Sequence, residues 1–112
     1  TSTTPAGREI DTMGFPFNIT QLIAMLPGAY NVTRQAVHTP AAVRKTKKAI
    51  EKALRAQKEG KGYCLVEVVS NCPSGWKMTP VASNKWMEET MFPHYPLGDL
   101  KTEGVLQPMK GN

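Results

Sequence analysis

Apolar residues recur at spacings of three and four after Asn18, at Ile19, Leu22, Ile23 and Leu26. With Asn18 as N-cap this spacing predicts a short amphipathic helix, which Pro27-Gly28 ends. Tyr30 to Val37 alternates roughly and is rich in β-prone residues, which predicts a strand. Thr39-Pro40 then opens the clearest helix, with Pro40 in the first position, where its missing N–H costs nothing. Val43, Thr46, Ala49, Ile50, Ala53, Leu54 and Gln57 keep one face of it largely apolar, and Gly60 marks its end. Tyr63 to Val69 is a nearly continuous apolar run, the pattern of a strand covered on both faces. Ser70 to Thr79 reads as a loop around Cys72-Pro73-Ser74-Gly75-Trp76, followed by a short helix from about Ser83 to Met91. Pro5, Gly7, Gly14 and Pro16 make residues 1–17 loop-like. Pro93, Pro96, Gly98 and Pro108 give the tail an irregular look, suited to wrapping a neighbour.

Helix, strand, helix, strand implies a crossover between parallel strands, so the fold class is α/β with a parallel sheet. Residues 1–82 form part of that α/β domain, and residues 83–112 the short helix and irregular tail. Two strands do not make a sheet covered on both faces. The rest of the sheet is expected before Thr1.

With 112 residues and 40% hydrophobic content, the chain is one small, marginally stable domain or a piece of something larger. No apolar stretch reaches the roughly 18 residues of a membrane span. The start carries neither initiator Met nor secretory leader, which suggests a natural start upstream and a cytoplasmic setting. Two cysteines do not make a secreted disulfide framework. The sequons at Asn18 and Asn31 therefore read as chance matches.

Net charge is +5, concentrated on one helical face: Arg44, Lys45, Lys47, Lys48, Lys52, Arg55 and Lys58. Such a face is usually just solvated. Among functional uses it suits an acidic protein steered by charge. Nucleic-acid binding would call for aromatics among the lysines, and this helix has none.

Cys72, in a loop after a strand and held extended by Pro73, is either a free surface thiol or a metal ligand. Cys64, inside the apolar run, reads as a packed small hydrophobe. Glu67 in the same run needs a cation or backbone donors, and structural pairing is the expected role. Arg8 suits a carboxylate or phosphate of substrate or coenzyme, or is a plain surface residue in a turn. Arg34 stands similarly, as a surface residue or one paired with a neighbouring subunit. His38 and His94 lack a second ligand at metal spacing, and no residue is assigned a catalytic role.

Several stretches occur together in order. They are Thr1-Ser2-Thr3-Thr4-Pro5-Ala6-Gly7-Arg8, then Tyr30-Asn31-Val32-Thr33-Arg34, then the Lys-rich helix. Val66-Glu67-Val68-Val69-Ser70-Asn71-Cys72-Pro73-Ser74-Gly75-Trp76 and Met91-Phe92-Pro93-His94-Tyr95-Pro96-Leu97-Gly98-Asp99 complete the series. Their succession resembles the second half of the thiamine-diphosphate-binding (beta) subunit of 2-oxoacid:ferredoxin oxidoreductases, of the 2-ketoisovalerate or 2-oxoglutarate type. The resemblance implies that residues 1–82 belong to a thiamine-diphosphate-binding α/β domain. It implies an assembled enzyme that decarboxylates a 2-oxoacid oxidatively to its acyl-coenzyme A and passes electrons to ferredoxin.

It also implies thiamine diphosphate, Mg2+ and a 4Fe–4S cluster in the complete enzyme, with Cys72 as one of four thiolate ligands. The diphosphate-and-magnesium motif would lie before Thr1, so this segment alone is expected to bind no cofactor and to be inactive. Implied partners are the other subunits (alpha, gamma and delta type), ferredoxin, the oxoacid and coenzyme A, within an oligomer and without nucleic acid or membrane. The alternative is a free-standing small basic module that binds nucleic acid or an acidic protein.

Overall fold

The computed structural model describes residues 4–108. Asn18 caps α2 (Ile19–Ala24), its side chain accepting from the Gln21 N–H at 3.2 Å. Ahead of it stands a single helical turn, α1 (Ile10–Met13), in a stretch expected to be loop. Strand β1 (Ala29–Ala36) leads to α3 (Pro40–Lys58), capped by Thr39 Oγ1, which accepts from the Ala42 N–H at 3.1 Å. Strand β2 (Tyr63–Val69) runs into the turn α4 (Pro73–Trp76), and α5 (Pro80–Trp86) follows.

Helix α5 begins three residues earlier than its apolar pattern suggests. The reason is a second Thr-Pro cap: Thr79 Oγ1 accepts from the Ala82 N–H at 3.2 Å, and Pro80 takes the first position. The helix widens into a π-helical turn over Met87–Met91, where the Phe92 N–H reaches the Met87 carbonyl at 3.1 Å.

The fold is mixed α/β around a four-stranded sheet in the order β2-β1-β3-β4. β1 and β2 are parallel and joined through α3, the expected crossover. The tail, expected to be irregular, supplies β3 (Gly98–Thr102) and β4 (Val105–Leu106), both antiparallel. Among the described residues only one pair of the sheet is therefore parallel. Between β3 and β4 the chain reverses at Glu103-Gly104, with φ of 49° and 77°, the pair of positive angles a tight two-residue hairpin demands. Contacts to β1 hold that hairpin: the Glu103 N–H donates to Asn31 Oδ1 at 3.0 Å and the Gly104 N–H to the Tyr30 carbonyl at 2.8 Å.

These pairings also correct the place of the apolar run. β1, not β2, is the central buried strand, because β3 occupies its second edge. β2 lies at the margin of the sheet, and Cys64, expected to be packed away, is half-buried on it.

Side chains alternate across the strands. Val32 meets Ala24 and Ala29 on one face, with Ile23, Leu65 and Leu100 around them. Further along that face Ala36, Val69 and Met87 pack with Trp76, Met91, Phe92 and Leu97, so α2 and the α5 segment share one side. α3 covers the other, where Thr46 and Ala56 are buried and Thr46 Oγ1 donates to the Ala36 carbonyl at 2.8 Å. Small side chains let this helix sit close to the sheet. Ile50 and Leu54, expected on its buried face, lie on an exposed flank instead.

Candidate functional site

Strand β2 ends at Val69, and its continuation carries Cys72 past the end of the parallel pair. In open α/β sheets this is where ligand-binding loops gather. The loop is tied down on both sides of the cysteine. Before it, Asn71 Nδ2 donates to Ser83 Oγ at 2.7 Å and to Asn84 Oδ1 at 2.8 Å, fixing the strand exit to α5. After it, the Trp76 N–H donates to the Cys72 carbonyl at 2.9 Å and the Met78 N–H to the Pro73 carbonyl at 2.9 Å. The Trp76 ring packs on Trp86 with centroids 4.6 Å apart.

Within this frame the Cys72 thiol is exposed and free of a disulfide. A β-carbon on Gly75 would fall 2.7 Å from Cys72 Sγ, so the absence of a side chain at Gly75 is what lets the sulfur lie where it does. The result is a solvent-facing sulfur on a short, braced loop.

Such a sulfur fits the role of a single thiolate ligand, since it is accessible and held by its surroundings. It does not make a metal site by itself. No group of three His, Cys, Asp or Glu side chains suited to a metal occurs among the described residues. Cys64, the second residue of β2, stands five residue steps, roughly 16 Å, before the strand end from which the Cys72 loop departs.

Arg34 lies away from solvent, only 1% exposed, and its partner is within this chain rather than in a neighbour. Its Nε donates to Glu67 Oε2 at 2.7 Å, Nη2 to Asn18 Oδ1 at 2.6 Å and Nη1 to the Pro96 carbonyl at 3.1 Å. The guanidinium also stands over the Tyr95 ring, 5.4 Å from its centroid. Glu67 accepts a further hydrogen bond from Thr20 Oγ1. The structural pairing expected for Glu67 is present, and it joins α2, both parallel strands and the segment before β3.

Arg8 is exposed, and its Nη1 donates to the carbonyls of Met13 at 3.0 Å and Gly14 at 3.2 Å, closing the end of α1. Thr1, Ser2 and Thr3 of the same loop lie outside the described residues. His38 has no second ligand at metal spacing in the sequence. It packs edge-on against Phe92, with Nε2 3.1 Å from Glu88 Oε1, and Nδ1 is buried without a hydrogen-bond partner among the described residues. Nothing in the local sequence signals that contact, which depends on how the π-turn meets the end of β1. Along α3, Arg44, Lys45, Lys47, Lys48, Lys52, Arg55 and Lys58 are all exposed, and Arg55 pairs with Glu51 at 2.8 Å.

Two curated proteins are similar to this chain, both named ketoisovalerate oxidoreductase subunit VorA. The one from Methanothermobacter thermautotrophicus (strain Delta H) is 30% identical over 101 residues, and the one from Methanothermobacter marburgensis (strain Marburg) is 31% identical over 101. Each match takes in 90% of this chain and 21% of the relative, so the chain spans about one fifth of the length of the curated relatives it matches. No family model and no solved structure matches.

Proposed function

We propose that the chain is a portion of the thiamine-diphosphate-binding subunit of a 2-oxoacid:ferredoxin oxidoreductase of the ketoisovalerate type, and that Cys72 is its contribution to the electron path. The observation that carries this reading is the similarity to the ketoisovalerate oxidoreductase subunits along nine tenths of the chain. The braced, exposed thiol of Cys72 supports it from the structure. Of the two substrate classes expected, the relatives' names favour ketoisovalerate over 2-oxoglutarate.

In the complete enzyme, thiamine diphosphate with Mg2+ supplies carbanion stabilisation at the oxoacid carbonyl carbon, and a 4Fe–4S cluster carries single electrons. This chain's own part is to hold and aim. Asn71 and Trp76 fix the loop, Gly75 leaves room for the sulfur, and Cys72 offers one of four thiolates while the remaining three come from elsewhere in the assembly. Arg8 offers its free guanidinium edge to an anionic group of the oxoacid or coenzyme A. The lysines of α3 attract acidic ferredoxin, an effect that weakens with salt. The 112-residue chain alone has no activity.

The test is Cys72→Ser in the complete subunit, purified anaerobically. Loss of iron, sulfide and visible absorption with retained thiamine diphosphate is the expected result. An unchanged cluster removes Cys72 from the ligand set.

A further inference from the structure

Arg8 closes a small loop that ends in two uncovered phenylalanines. Its Nη1 donates to the carbonyls of Met13 and Gly14, and Gly14, at φ 70°, turns the chain out of α1 as it presents the second of them. The peptide unit that carries the Gly14 carbonyl leads directly into Phe15. A guanidinium and an aromatic residue are thus held one peptide unit apart. Phe15 is 76% and Phe17 65% exposed, and Pro16 between them restricts the backbone on both sides. Nε and Nη2 of Arg8 have no partner among the described residues. The nearby carboxylates on the chain are Glu9 and Asp11. Neither forms an ion pair with Arg8, and Glu9 accepts instead from Thr12 Oγ1 at 3.0 Å.

This loop stands at the edge of the sheet where ligands bind in open α/β folds. Asn18, next after Phe17, accepts from Arg34 Nη2 at 2.6 Å, and Arg34 is the third residue from the end of β1. β1 and β2 are parallel, so the Cys72 loop leaves from the same edge. α2 carries Leu22, Met25 and Leu26 away from it, towards the start of β2, where the Tyr63 N–H meets the Gly28 carbonyl. Phe15 and Phe17 remain at the edge itself. From Thr12 to Thr33 no residue is charged. A ligand held by Arg8 therefore meets aromatic rings next, with no charge in this stretch to receive a second anion. Such surroundings penalise a dicarboxylate. They suit an acid with one carboxylate and a compact branched hydrocarbon end.

We propose that Arg8, Phe15 and Phe17 form the subsite that selects the 2-oxoacid. Arg8 takes the carboxylate, while the two rings enclose the branched aliphatic end and exclude a second carboxylate. The inference rests on the reading of this chain as part of a ketoisovalerate-type oxidoreductase, and adds to it the residues that choose the substrate.

The test uses the complete enzyme, with kcat/KM for ketoisovalerate, pyruvate and 2-oxoglutarate followed by reduction of a one-electron dye. Ketoisovalerate carries two more methyl groups than pyruvate, so Phe15→Ala and Phe17→Ala should each lower the ratio of these two values by about tenfold. Phe17→Lys should raise 2-oxoglutarate relative to ketoisovalerate by about tenfold. Arg8→Gln should lower all three values by a similar factor and leave their ratios in place. Leucine at position 15 or 17 keeps an apolar side chain on the loop, serves where alanine disturbs assembly, and should shift the first ratio about threefold. Ratios within about twofold of the native enzyme in every phenylalanine variant overturn the subsite, whatever happens to absolute activity, and assign the rings to packing. Unmoved ratios in an enzyme that oxidises ketoisovalerate leave the family reading standing. A native enzyme that oxidises no 2-oxoacid rejects that reading and the subsite with it.

Discussion

Arg34 and Glu67 face each other across the parallel pair, in register on β1 and β2, with Arg34 Nε 2.7 Å from Glu67 Oε2. The arginine side chain is 2% exposed and the glutamate side chain 31%, so the two partners differ in what each loses when the other is removed.

Arg34→Met withdraws three hydrogen bonds and the cation paired with Glu67, and leaves Asn18 and the Pro96 carbonyl without their donor, so it is expected to cost about 3–5 kcal/mol of stability. Glu67→Gln keeps an acceptor for Arg34 Nε and is expected to cost less, about 1–3 kcal/mol. Urea midpoints of the two variants decide the matter. A glutamine variant as unstable as the methionine one contradicts this account of the pair.

Gly75→Ala places a methyl group 2.7 Å from Cys72 Sγ. The loop is open to solvent, so the stability cost should stay near 1 kcal/mol. The sulfur, however, must turn away. On the proposed role of Cys72, the cluster content of the complete subunit should fall while the fold, followed by circular dichroism, persists. Full iron occupancy in this variant would mean that the position of the sulfur in the braced loop is not needed for ligation.

Thr39→Ala and Thr79→Ala each remove a side-chain acceptor from a helix start and should cost about 1 kcal/mol each. The two caps lie on separate helices and share no partner, so the double variant should lose close to the sum. Thermal unfolding of the single and double variants checks both statements.

On the proposed function, reversing charge at Lys48 and Lys52 should slow association of the complete enzyme with ferredoxin by about tenfold at low ionic strength, and the difference should vanish in high salt. Stopped-flow reduction of ferredoxin at two salt concentrations measures it. A rate that ignores both the variant and the salt assigns the α3 lysines to solvation alone.

Much of this architecture could be read from local pattern. Asn18, Thr39 and the run from Tyr63 to Val69 mark their elements by capping chemistry and periodicity, which depend on near neighbours alone. β3 could not be read in that way. Gly98, Asp99 and Lys101 are poor strand formers, and their extended course comes from partners on β1. Lys101 adds an anchor of its own, Nζ donating to the Leu26 carbonyl at 2.7 Å at the end of α2. The Cys72 loop was visible as a motif, but the role of Gly75 was not, because it depends on where one sulfur atom lies.

The central strand of this sheet draws on residues far along the chain. Thr33 Oγ1 bonds to the carbonyl of Gly98, 65 positions later, and the Arg34 guanidinium waits for the carbonyl of Pro96. While the polypeptide is being made, β1 can meet β2 long before β3 exists. For that interval one edge of β1 is unpaired and Arg34, already held by Glu67 and Asn18, lacks one hydrogen bond, a state open to wrong pairing or capture by a chaperone. Proteolysis between Leu97 and Leu100 would cut β3 where it pairs with Thr33 and Arg34 of the central strand. A cut there, near the surface and late in the sequence, opens the middle of the molecule.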